Sequence, residues 1–196
     1  MTAPSPTTTR VAATDRILAA ARALVARGGT AELSMGDVAS AAHVSKALVH
    51  YHFHDKDSLL VALAEKSVGA VLARTRTVVE GSDNTDEHVL DAYWSSLDAE
   101  LNAGDLRILL ALAECDSERV RSVCRRFATE RRELTSTQIT SVFERLGLQL
   151  RVPAELLADT VVAFTDGLAL GSALEPERPA RPAFDVLWLA LLTLAE

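Results

Sequence analysis

The sequence predicts an all-α protein of about nine helices, and three observations carry this prediction. All six prolines lie at positions 4, 6, 153, 176, 179 and 182, so residues 7–152 contain none of the residue most hostile to helix interiors. Only 5% of the residues are aromatic although 48% are hydrophobic, so Ala, Leu and Val dominate and favour helices. Apolar residues also recur at helical spacing, with no internal repeat and no clear strand.

The first helix has apolar residues at helical spacing from Ile17 to Val25, and Gly28-Gly29 supplies its stop. Residues 1–9 form a Thr/Pro/Ser arm that has nothing to bury, so we expect this arm to be disordered.

Two short helices follow the first. Ser34 is a good N-cap for a helix that runs to about Ala42, and Ser45 caps a second helix that runs to about His52. Asp55 then caps a much longer helix with an apolar stripe. Two short capped helices joined by a tight turn are typical of a helix-turn-helix, whose second helix enters the DNA major groove.

The rest of the chain is also helical by pattern. Gly81-Ser82-Asp83-Asn84 breaks the fourth helix, and Thr85 caps the next one. Glycines at 104 and 147 and the Pro/Glu/Arg segment 175–181 separate the later elements. The five further helices are expected at about 85–102, 106–113, 117–146, 153–174 and 183–195.

The net charge of −7 is distributed unevenly along the chain. Residues 1–56 carry a net charge of +2, whereas the remainder carries −9. Four of the five histidines also lie in the first part, where partial protonation adds positive charge. The N-terminal part is therefore the one suited to a nucleic-acid partner.

Composition also indicates where in the cell the protein is located and whether its cysteines form disulfides or bind metal. The start of the chain has no basic and apolar leader, and the longest apolar run, 186–192, is far shorter than the roughly 20 residues that span a bilayer. We therefore expect a cytoplasmic protein with no membrane partner. Cys115 and Cys124 form no Cys-x-x-Cys pair, so neither a disulfide framework nor a thiolate zinc site is expected.

The residues around the two short helices form a string with a specific order and spacing. This string consists of Ile17-Leu18, Ala20-Ala21, Leu33-Ser34-Met35, Asp37-Val38-Ala39, Ala42, Val44-Ser45-Lys46, Tyr51-His52-Phe53, Lys56 and Leu59-Leu60. It closely resembles the DNA-binding domain of the TetR (tetracycline-repressor) family of bacterial transcription regulators. The resemblance covers about residues 10–62, and the run 164–168 is also similar to that family.

The resemblance implies an architecture and a function. It implies a helix-turn-helix domain at 10–62 and a larger helical domain at 63–196, joined by the long helix, with the larger domain binding an effector and forming a homodimer. Such a protein is a repressor that binds a palindromic operator in double-stranded DNA and leaves it when a small-molecule effector tilts the long helix. No cofactor and no metal are expected.

The resemblance also implies roles for single residues in DNA binding. Ser34 and Ser45 lie at helix starts, where backbone N–H groups and a hydroxyl can hold a phosphate. Lys46 and Lys56 flank the second short helix and would bind backbone phosphates. Arg10 would reach an adjacent minor groove. The other expected DNA contacts are Met35, Ala47, Leu48, His50, Tyr51 and His52.

Three departures from the family pattern have physical consequences. His43 occupies a turn position usually held by Gly, and His tolerates a left-handed conformation better than most residues. His50 replaces a tyrosine, which raises the question of pH-dependent DNA binding. Ala47 and Leu48 replace small polar residues and favour contacts to thymine methyl groups. A metal site on His50, His52 and His54 is disfavoured, because His52 lies on a different helical face and no acidic or thiolate partner is near in sequence.

The acidic part supplies candidates for the dimer interface and the effector pocket. The last two helices are apolar around most of their circumference, which suits either a two-fold four-helix interface or an internal core. The interface candidates are Val161, Phe164, Gly167, Leu168, Gly171, Leu187, Trp188 and Leu191. The pocket candidates, whose aromatic rings and carboxylates would suit a cationic or amphipathic ligand, are Tyr93, Trp94, Glu114, Cys115, Phe127, Phe143, Phe164 and Asp166.

Two other classes of function were weighed. The sequence has no Gly-x-Ser-x-Gly, phosphate-loop, dinucleotide or paired metal-carboxylate pattern, so an enzyme is not expected. An effector-independent architectural DNA-binding protein is the alternative that stays open. It would show weak sequence preference, whereas a repressor binds its own site roughly a thousandfold or more tighter than random DNA.

Overall fold

The computed structural model describes the backbone of residues 6–80 and 89–196, and the side chains of residues 11–76 and 89–196. Within these ranges the chain forms nine α-helices, which confirms the all-α prediction. The helices are α1 (Pro6–Gly28), α2 (Met35–Ala41), α3 (Lys46–His52), α4 (Lys56–Glu80), α5 (Val89–Ala103), α6 (Asp105–Ala113), α7 (Glu118–Arg145), α8 (Ala154–Leu174) and α9 (Arg181–Leu192).

The starts of the helix-turn-helix elements follow from their capping side chains. Ser34 Oγ accepts a hydrogen bond from the N–H of Asp37 at 3.1 Å, and Ser45 Oγ accepts one from the N–H of Leu48 at 3.1 Å. Before α4, the carboxylate of Asp55 accepts a hydrogen bond from the N–H of Ser58 at 2.6 Å. The hydrogen bonds from Ser58 lower the pKa of Asp55. The caps predicted at residues 34, 45 and 55 are therefore confirmed.

Three helices end at glycines in the left-handed conformation, as predicted. Gly29, Gly104 and Gly147 follow α1, α5 and α7 with φ values of 70°, 72° and 66°. Glycine adopts this conformation without the steric cost of a Cβ atom, so it stops a helix sharply. The predicted break at 81–84 and the Thr85 cap lie outside the described residues.

Two helix boundaries differ from the prediction. α1 begins at Pro6, so residues 6–9, assigned to the disordered arm by sequence, are helical. Proline suits the first turn of a helix, because its φ is already helical and its missing N–H has no partner there. α9 ends at Leu192 and not near 195, because the chain end pairs instead with residues 149–151. Arg151 N–H donates to the Leu194 carbonyl at 2.9 Å, and the bridge Leu150–Ala195 is part of this pairing.

The turn between α2 and α3 is held in the left-handed conformation by a non-glycine residue. His43 has φ of 54° and its side chain is exposed. This agrees with the conformation expected where the family usually has glycine. A non-glycine residue in this region carries a steric cost of about 1–2 kcal/mol.

We expect opposite stability changes from two substitutions at this turn. His43→Gly should raise the free energy of unfolding by about 1 kcal/mol, because it removes the steric cost. His43→Val should lower it by about 1–3 kcal/mol, because a β-branched side chain fits positive φ poorly. Urea denaturation of the full chain measures both, and equal midpoints for the two variants would contradict the observed turn.

The chain divides into two compact units. Unit 1 comprises Met1–Ser67 and Ile108–Cys124, and unit 2 comprises Val68–Arg107 and Arg125–Glu196. The boundary thus falls at 67/68 and not at 62/63, and residues 108–124, which the sequence places in the second domain, belong to unit 1. Hydrogen bonds account for the difference, since Ser117 Oγ donates to the carboxylate of Asp57 at 2.8 Å.

Each unit has its own core. In unit 1, Ile17, Val38, Val49 and Leu59 are fully buried, so α1, α2, α3 and the first half of α4 share one apolar centre. In unit 2, a larger cluster draws on α5, α7, α8 and α9. Its buried members are Val89, Tyr93, Leu97, Ile139, Val142, Phe143, Leu157, Ala158, Val161, Phe184, Trp188 and Leu191.

Candidate nucleic-acid interface and buried cavity

α3 presents one polar and aromatic face to solvent while its other face is fixed in unit 1. Val49 is fully buried and Phe53, which follows the helix, is 7% exposed. Tyr51 is 66% exposed, and His50 is exposed beside it. A short helix held by its apolar side and open on the other is the geometry by which a helix-turn-helix reads the major groove.

Lysines lie at both ends of this face. Lys46, the first residue of α3, is exposed, as is its neighbour Ala47, while Leu48 is half-buried. Lys56 is half-buried, and its Nζ donates to the carbonyl of Ala31 at 3.3 Å. An ammonium has three N–H donors, so this bond leaves Lys56 capacity for a phosphate.

Two of the expected DNA contacts are less exposed than Tyr51. Met35 is buried at 9% exposure, so its side chain packs in the core of unit 1. His52 is half-buried, and its Nδ1 lies 3.2 Å from Oγ1 of Thr14 in α1. Its ring also packs edge-on against Tyr51, with centroids 5.4 Å apart. His52 therefore positions Tyr51 and connects α3 to α1.

The remaining expected contacts are distributed around the same helices. Ser34 and Ser45 are exposed but also cap their helices, and Ser34 Oγ donates to the Asp37 carboxylate at 2.5 Å. His50 Nδ1 lies 3.3 Å from the carbonyl of His54. Arg10 lies within α1, and its side chain is outside the described side chains.

Unit 2 contains a polar cavity of about 50 Å³. Residues of α4, α5, α6, α7 and α8 line it, and most of its polar lining is buried. The lining residues are Val71, Arg74, Thr75, Tyr93, Ser96, Leu97, Glu100, Leu106, Arg131, Thr135, Gln138, Val161 and Thr165.

One ion-pair group in this region joins three helices. Arg74 of α4 donates from Nε to Glu100 of α5 at 2.7 Å and from Nη2 to Asp105 of α6 at 2.5 Å. The other oxygen of Glu100 accepts from the N–H of Leu106 at 2.6 Å. Burial acts to lower the pKa of Arg74, but the hydrogen bonds to Asp105 and Glu100 outweigh it and raise that pKa.

A second group joins α7 to α8. Arg131, which is 8% exposed, donates from Nη1 to Asp166 and from Nη2 to Thr165 Oγ1, both at 2.5 Å. Its guanidinium also lies 5.8 Å from the centre of the Phe127 ring. Nearby, burial raises the pKa of Tyr93 to about 12, although the charge of Arg131 acts to lower it.

Only part of the pocket expected from sequence meets this cavity. Tyr93 lines it, and Asp166 and Phe127 contact the lining residue Arg131. The other five candidates lie elsewhere, for different reasons. Trp94 packs against Phe184, Phe143 is in the core cluster, Phe164 is half-buried and is not a lining residue, and Glu114 and Cys115 belong to unit 1.

A sequence signal could have found the lining residues that were missed. Arg131, Thr135, Gln138 and Val142 are spaced four, three and four residues apart, so the first three are polar residues at core positions of α7. Glu100 likewise follows Tyr93 and Leu97 at core spacing in α5. Polar residues at core positions indicate a buried polar site.

An exposed apolar surface lies on α8 and α9, and we call it the apolar face. It consists of Leu156, Leu170, Leu174, Val186 and Leu189, which are 60%, 51%, 82%, 66% and 65% exposed. The interface candidates predicted from sequence differ in their burial. Val161, Trp188 and Leu191 are buried in the core of unit 2, Phe164, Leu168 and Leu187 are half-buried, and Gly167 and Gly171 are exposed.

Among the described residues, α8 alone is long and apolar enough to meet the length and composition test for a membrane span, with a mean hydropathy of 1.3 over 18 residues. Its buried side belongs to the core cluster through Leu157 and Val161. Asp166 in its middle is paired with Arg131. One side of α8 thus packs in the core of unit 2, and its outer side carries part of the apolar face.

The buried α2, the tight turn and the exposed α3 define a helix-turn-helix DNA-binding domain. Residues 17–63 match the family described as bacterial regulatory proteins, tetR family. This match confirms the resemblance to the TetR family that the sequence string indicates for the N-terminal part of the chain.

A transcriptional repressor is similar in sequence to part of this chain. It is 31% identical over 106 residues to the HTH-type nicotine-responsive transcriptional repressor HdnoR of Paenarthrobacter nicotinovorans, a match that covers 51% of this chain and 53% of the relative. The matched part thus spans about half the length of that relative.

Solved structures share the fold over most of the chain. A transcriptional regulator from Rhodococcus sp. Rha1 has a TM-score of 0.74 at 25% identity, covering 93% of this chain and 97% of its own. NalD, the secondary repressor of the MexAB-OprM multidrug efflux pump in Pseudomonas aeruginosa, has a TM-score of 0.65 at 20% identity, covering 93% and 95%. E. coli NemR in its reduced form has a TM-score of 0.71 at 18% identity, covering 94% and 98%.

Proposed function

We propose that this chain is a cytoplasmic, dimeric transcriptional repressor that reads a palindromic operator with α3 and responds to a small molecule. The observation that carries the proposal is the exposed face of α3, where Tyr51 is 66% exposed opposite the fully buried Val49. HdnoR, which matches part of this chain, is by name a transcriptional repressor that responds to a small molecule. An effector-independent architectural protein is disfavoured, since a structural role alone gives no reason for a buried polar cavity.

In this proposal, some residues position the domain on the DNA backbone and others contact the bases. Lys46, Lys56 and the amides at the starts of α2 and α3 hold backbone phosphates and fix the register of the domain. Ala47, His50 and Tyr51 lie on the exposed face and reach base edges in the major groove. Arg10 is proposed to reach the adjacent minor groove.

The apolar face is the proposed dimer interface. Its five side chains are large and apolar and more than half exposed, which is unfavourable for a monomer in water. A second copy related by a two-fold axis would bury the same residues from both chains. A two-fold dimer reads a palindrome in successive major grooves when its two recognition helices lie about 34–36 Å apart.

The cavity of unit 2 is the proposed effector site. Arg74, which lines the cavity, lies in α4, and the first half of that helix packs in the core of unit 1. We propose that an effector which disturbs the Arg74 group shifts α4 and weakens operator binding. Thermodynamic linkage then requires that saturating operator weaken effector binding by the same factor by which the effector weakens operator binding.

Selection of bound sequences from random duplex DNA by the purified protein tests this proposal. We expect an enriched palindrome that binds roughly a thousandfold tighter than random DNA. An absence of enrichment, with only salt-sensitive residual binding, would overturn the repressor and favour the architectural alternative.

Tyr51→Ala should weaken binding to the selected operator by about 10- to 100-fold, because it removes a base contact. The loss should be smaller for Tyr51→Phe, which keeps the ring. Arg178→Ala, an exposed cation in the loop after α8, serves as the control and should leave the affinity unchanged. Fluorescence anisotropy with a labelled operator measures all three. An unchanged operator affinity of the Tyr51→Ala variant would show that α3 does not read the bases in this way.

A further inference from the structure

We propose that His50 reads a cytosine of the operator through the unprotonated Nε2 of its imidazole ring. This inference rests on the proposed function, since it names the base that one residue of the same exposed face selects. Three observations support it: the hydrogen bond that the ring makes within unit 1, the exposure of the residue, and the chemistry of the base edges.

A backbone carbonyl holds the ring of His50. The ring nitrogen Nδ1 lies 3.3 Å from the carbonyl oxygen of His54, four residues further along the chain. A carbonyl oxygen can only accept a hydrogen bond, so Nδ1 carries a hydrogen and donates it. A neutral imidazole has a single N–H. In the neutral ring, that N–H is therefore used within the protein, and Nε2 is left with a lone pair.

The carbonyl that selects this tautomer lies in a segment fixed on both sides. Phe53, which precedes His54, is buried, and its N–H donates to the carbonyl of Val49 at 2.8 Å. Asp55, which follows His54, accepts the N–H of Ser58 at 2.6 Å and so caps α4. Because both neighbours of His54 are anchored, its carbonyl offers the ring a fixed acceptor.

The same bond sets the role of Nε2. The two nitrogens of an imidazole lie on different sides of the ring, so a ring that donates through Nδ1 to His54 directs Nε2 away from that carbonyl. His50 is exposed beside Tyr51 on the open face of α3. The neutral ring therefore presents a hydrogen-bond acceptor on the face that we propose enters the major groove.

An acceptor on this face is unsuited to the DNA backbone. Phosphate oxygens also only accept hydrogen bonds, so the neutral ring of His50 has no N–H left to donate to them. The partner of Nε2 must instead be a donor. In the major groove, the donors are the N6 amino group of adenine and the N4 amino group of cytosine.

Cytosine fits a single acceptor better than adenine does. Adenine carries the acceptor N7 beside its amino group, and side chains that recognise adenine pair with both atoms by donating as well as accepting. His50 has no second N–H for N7, because its only one is bonded to His54. Side chains that only accept, such as carboxylates, pair with the N4 amino group of cytosine. His50 therefore selects cytosine.

Selection of bound duplexes at pH 8, where imidazole side chains are mostly uncharged, tests the assignment. We expect the full-length protein to prefer cytosine about tenfold over other bases at one position of each half-site, and His50→Ala to lower this preference below about twofold. His54→Ala removes the neighbouring exposed imidazole but keeps the backbone carbonyl, so it should retain the full preference. Another base at the position that depends on His50, or no such position, would overturn the inference.

N4-methylcytosine in the selected operator tests the hydrogen bond itself. Its methyl group replaces the amino hydrogen that faces the major groove, while the other amino hydrogen still pairs with guanine. This change should weaken binding of the unmodified protein about tenfold and binding of His50→Ala less than about twofold, by fluorescence anisotropy. Equal losses in the two proteins would show that the methyl group acts by other means, and would refute the bond to His50.

The selection also separates this inference from the proposed function. A selected palindrome without a cytosine that depends on His50 would overturn the inference and leave the repressor standing. Selection of no sequence at all would overturn both.

Discussion

Leu189→Glu is expected to convert the protein to a monomer and to weaken operator binding by about 100-fold or more. Leu189 is 65% exposed on the apolar face, which we propose as the dimer interface. A carboxylate buried there without a partner costs several kcal/mol, and the two-fold axis places one on each side of the interface. A monomer holds only one half-site, so it loses the gain in affinity that comes from linking two.

Analytical ultracentrifugation and operator titration measure this effect. Gln149→Glu adds the same carboxylate at an exposed polar position of unit 2 and should leave both the dimer and the operator affinity unchanged. Thermal unfolding of the Leu189→Glu monomer should show that unit 2 still folds, because the side chain is outside the core cluster. A Leu189→Glu protein that stays dimeric would show that the copies meet on another surface.

Trp188→Ala is expected to lower the free energy of unfolding of unit 2 by about 3–5 kcal/mol. Trp188 is 1% exposed, and its ring centre lies 5.2 Å from that of Tyr93 and 6.1 Å from that of Phe184. Removing it leaves a large cavity at the centre of the core cluster, and the surrounding rings lose their packing. Chemical denaturation of the full chain measures the change.

Trp188→Phe is the matched control for this substitution. The indole Nε1 of Trp188 is buried without a hydrogen-bond partner among the described residues. Losing that N–H relieves an unsatisfied donor, which offsets part of the lost ring volume. We therefore expect Trp188→Phe to cost less than about 1.5 kcal/mol. A large loss in Trp188→Phe together with a small one in Trp188→Ala would contradict the core assignment.

Adjacent residues thus have different roles in α9. The segment 186–192 is apolar throughout, so the sequence predicts an interface, with an internal core as the alternative. The structure turns Trp188 inward and leaves Leu189 exposed. The two substitutions separate these roles, because one changes stability and the other changes the association of copies.

Local features were predictable because their causes are local. An N-cap such as Ser45 bonds to an amide three residues away, and Gly147 ends a helix through its own φ. The left-handed turn at His43 was predictable from its place in the family pattern. These features identified the helix-turn-helix before any tertiary contact was known.

The cavity depended on contacts between residues far apart in sequence. Arg74 meets Glu100 and Asp105, 26 and 31 residues away, and Arg131 meets Asp166, 35 residues away. The sequence does not show which distant residue a charged side chain will pair with in the folded protein. Aromatic residues such as Trp94, which the sequence suggests for a pocket, pack against the core instead.

By itself the sequence determined the helical class, the order of the elements, the caps and the resemblance to a family, because composition, spacing and short-range hydrogen bonds act within a few residues. Only the tertiary structure decided that residues 108–124 join unit 1, that Met35 is buried and His52 contacts Thr14, and which side of α9 is exposed. Each of these depends on which surfaces meet when helices pack. Helical spacing shows that a face is apolar, but only packing determines what covers it.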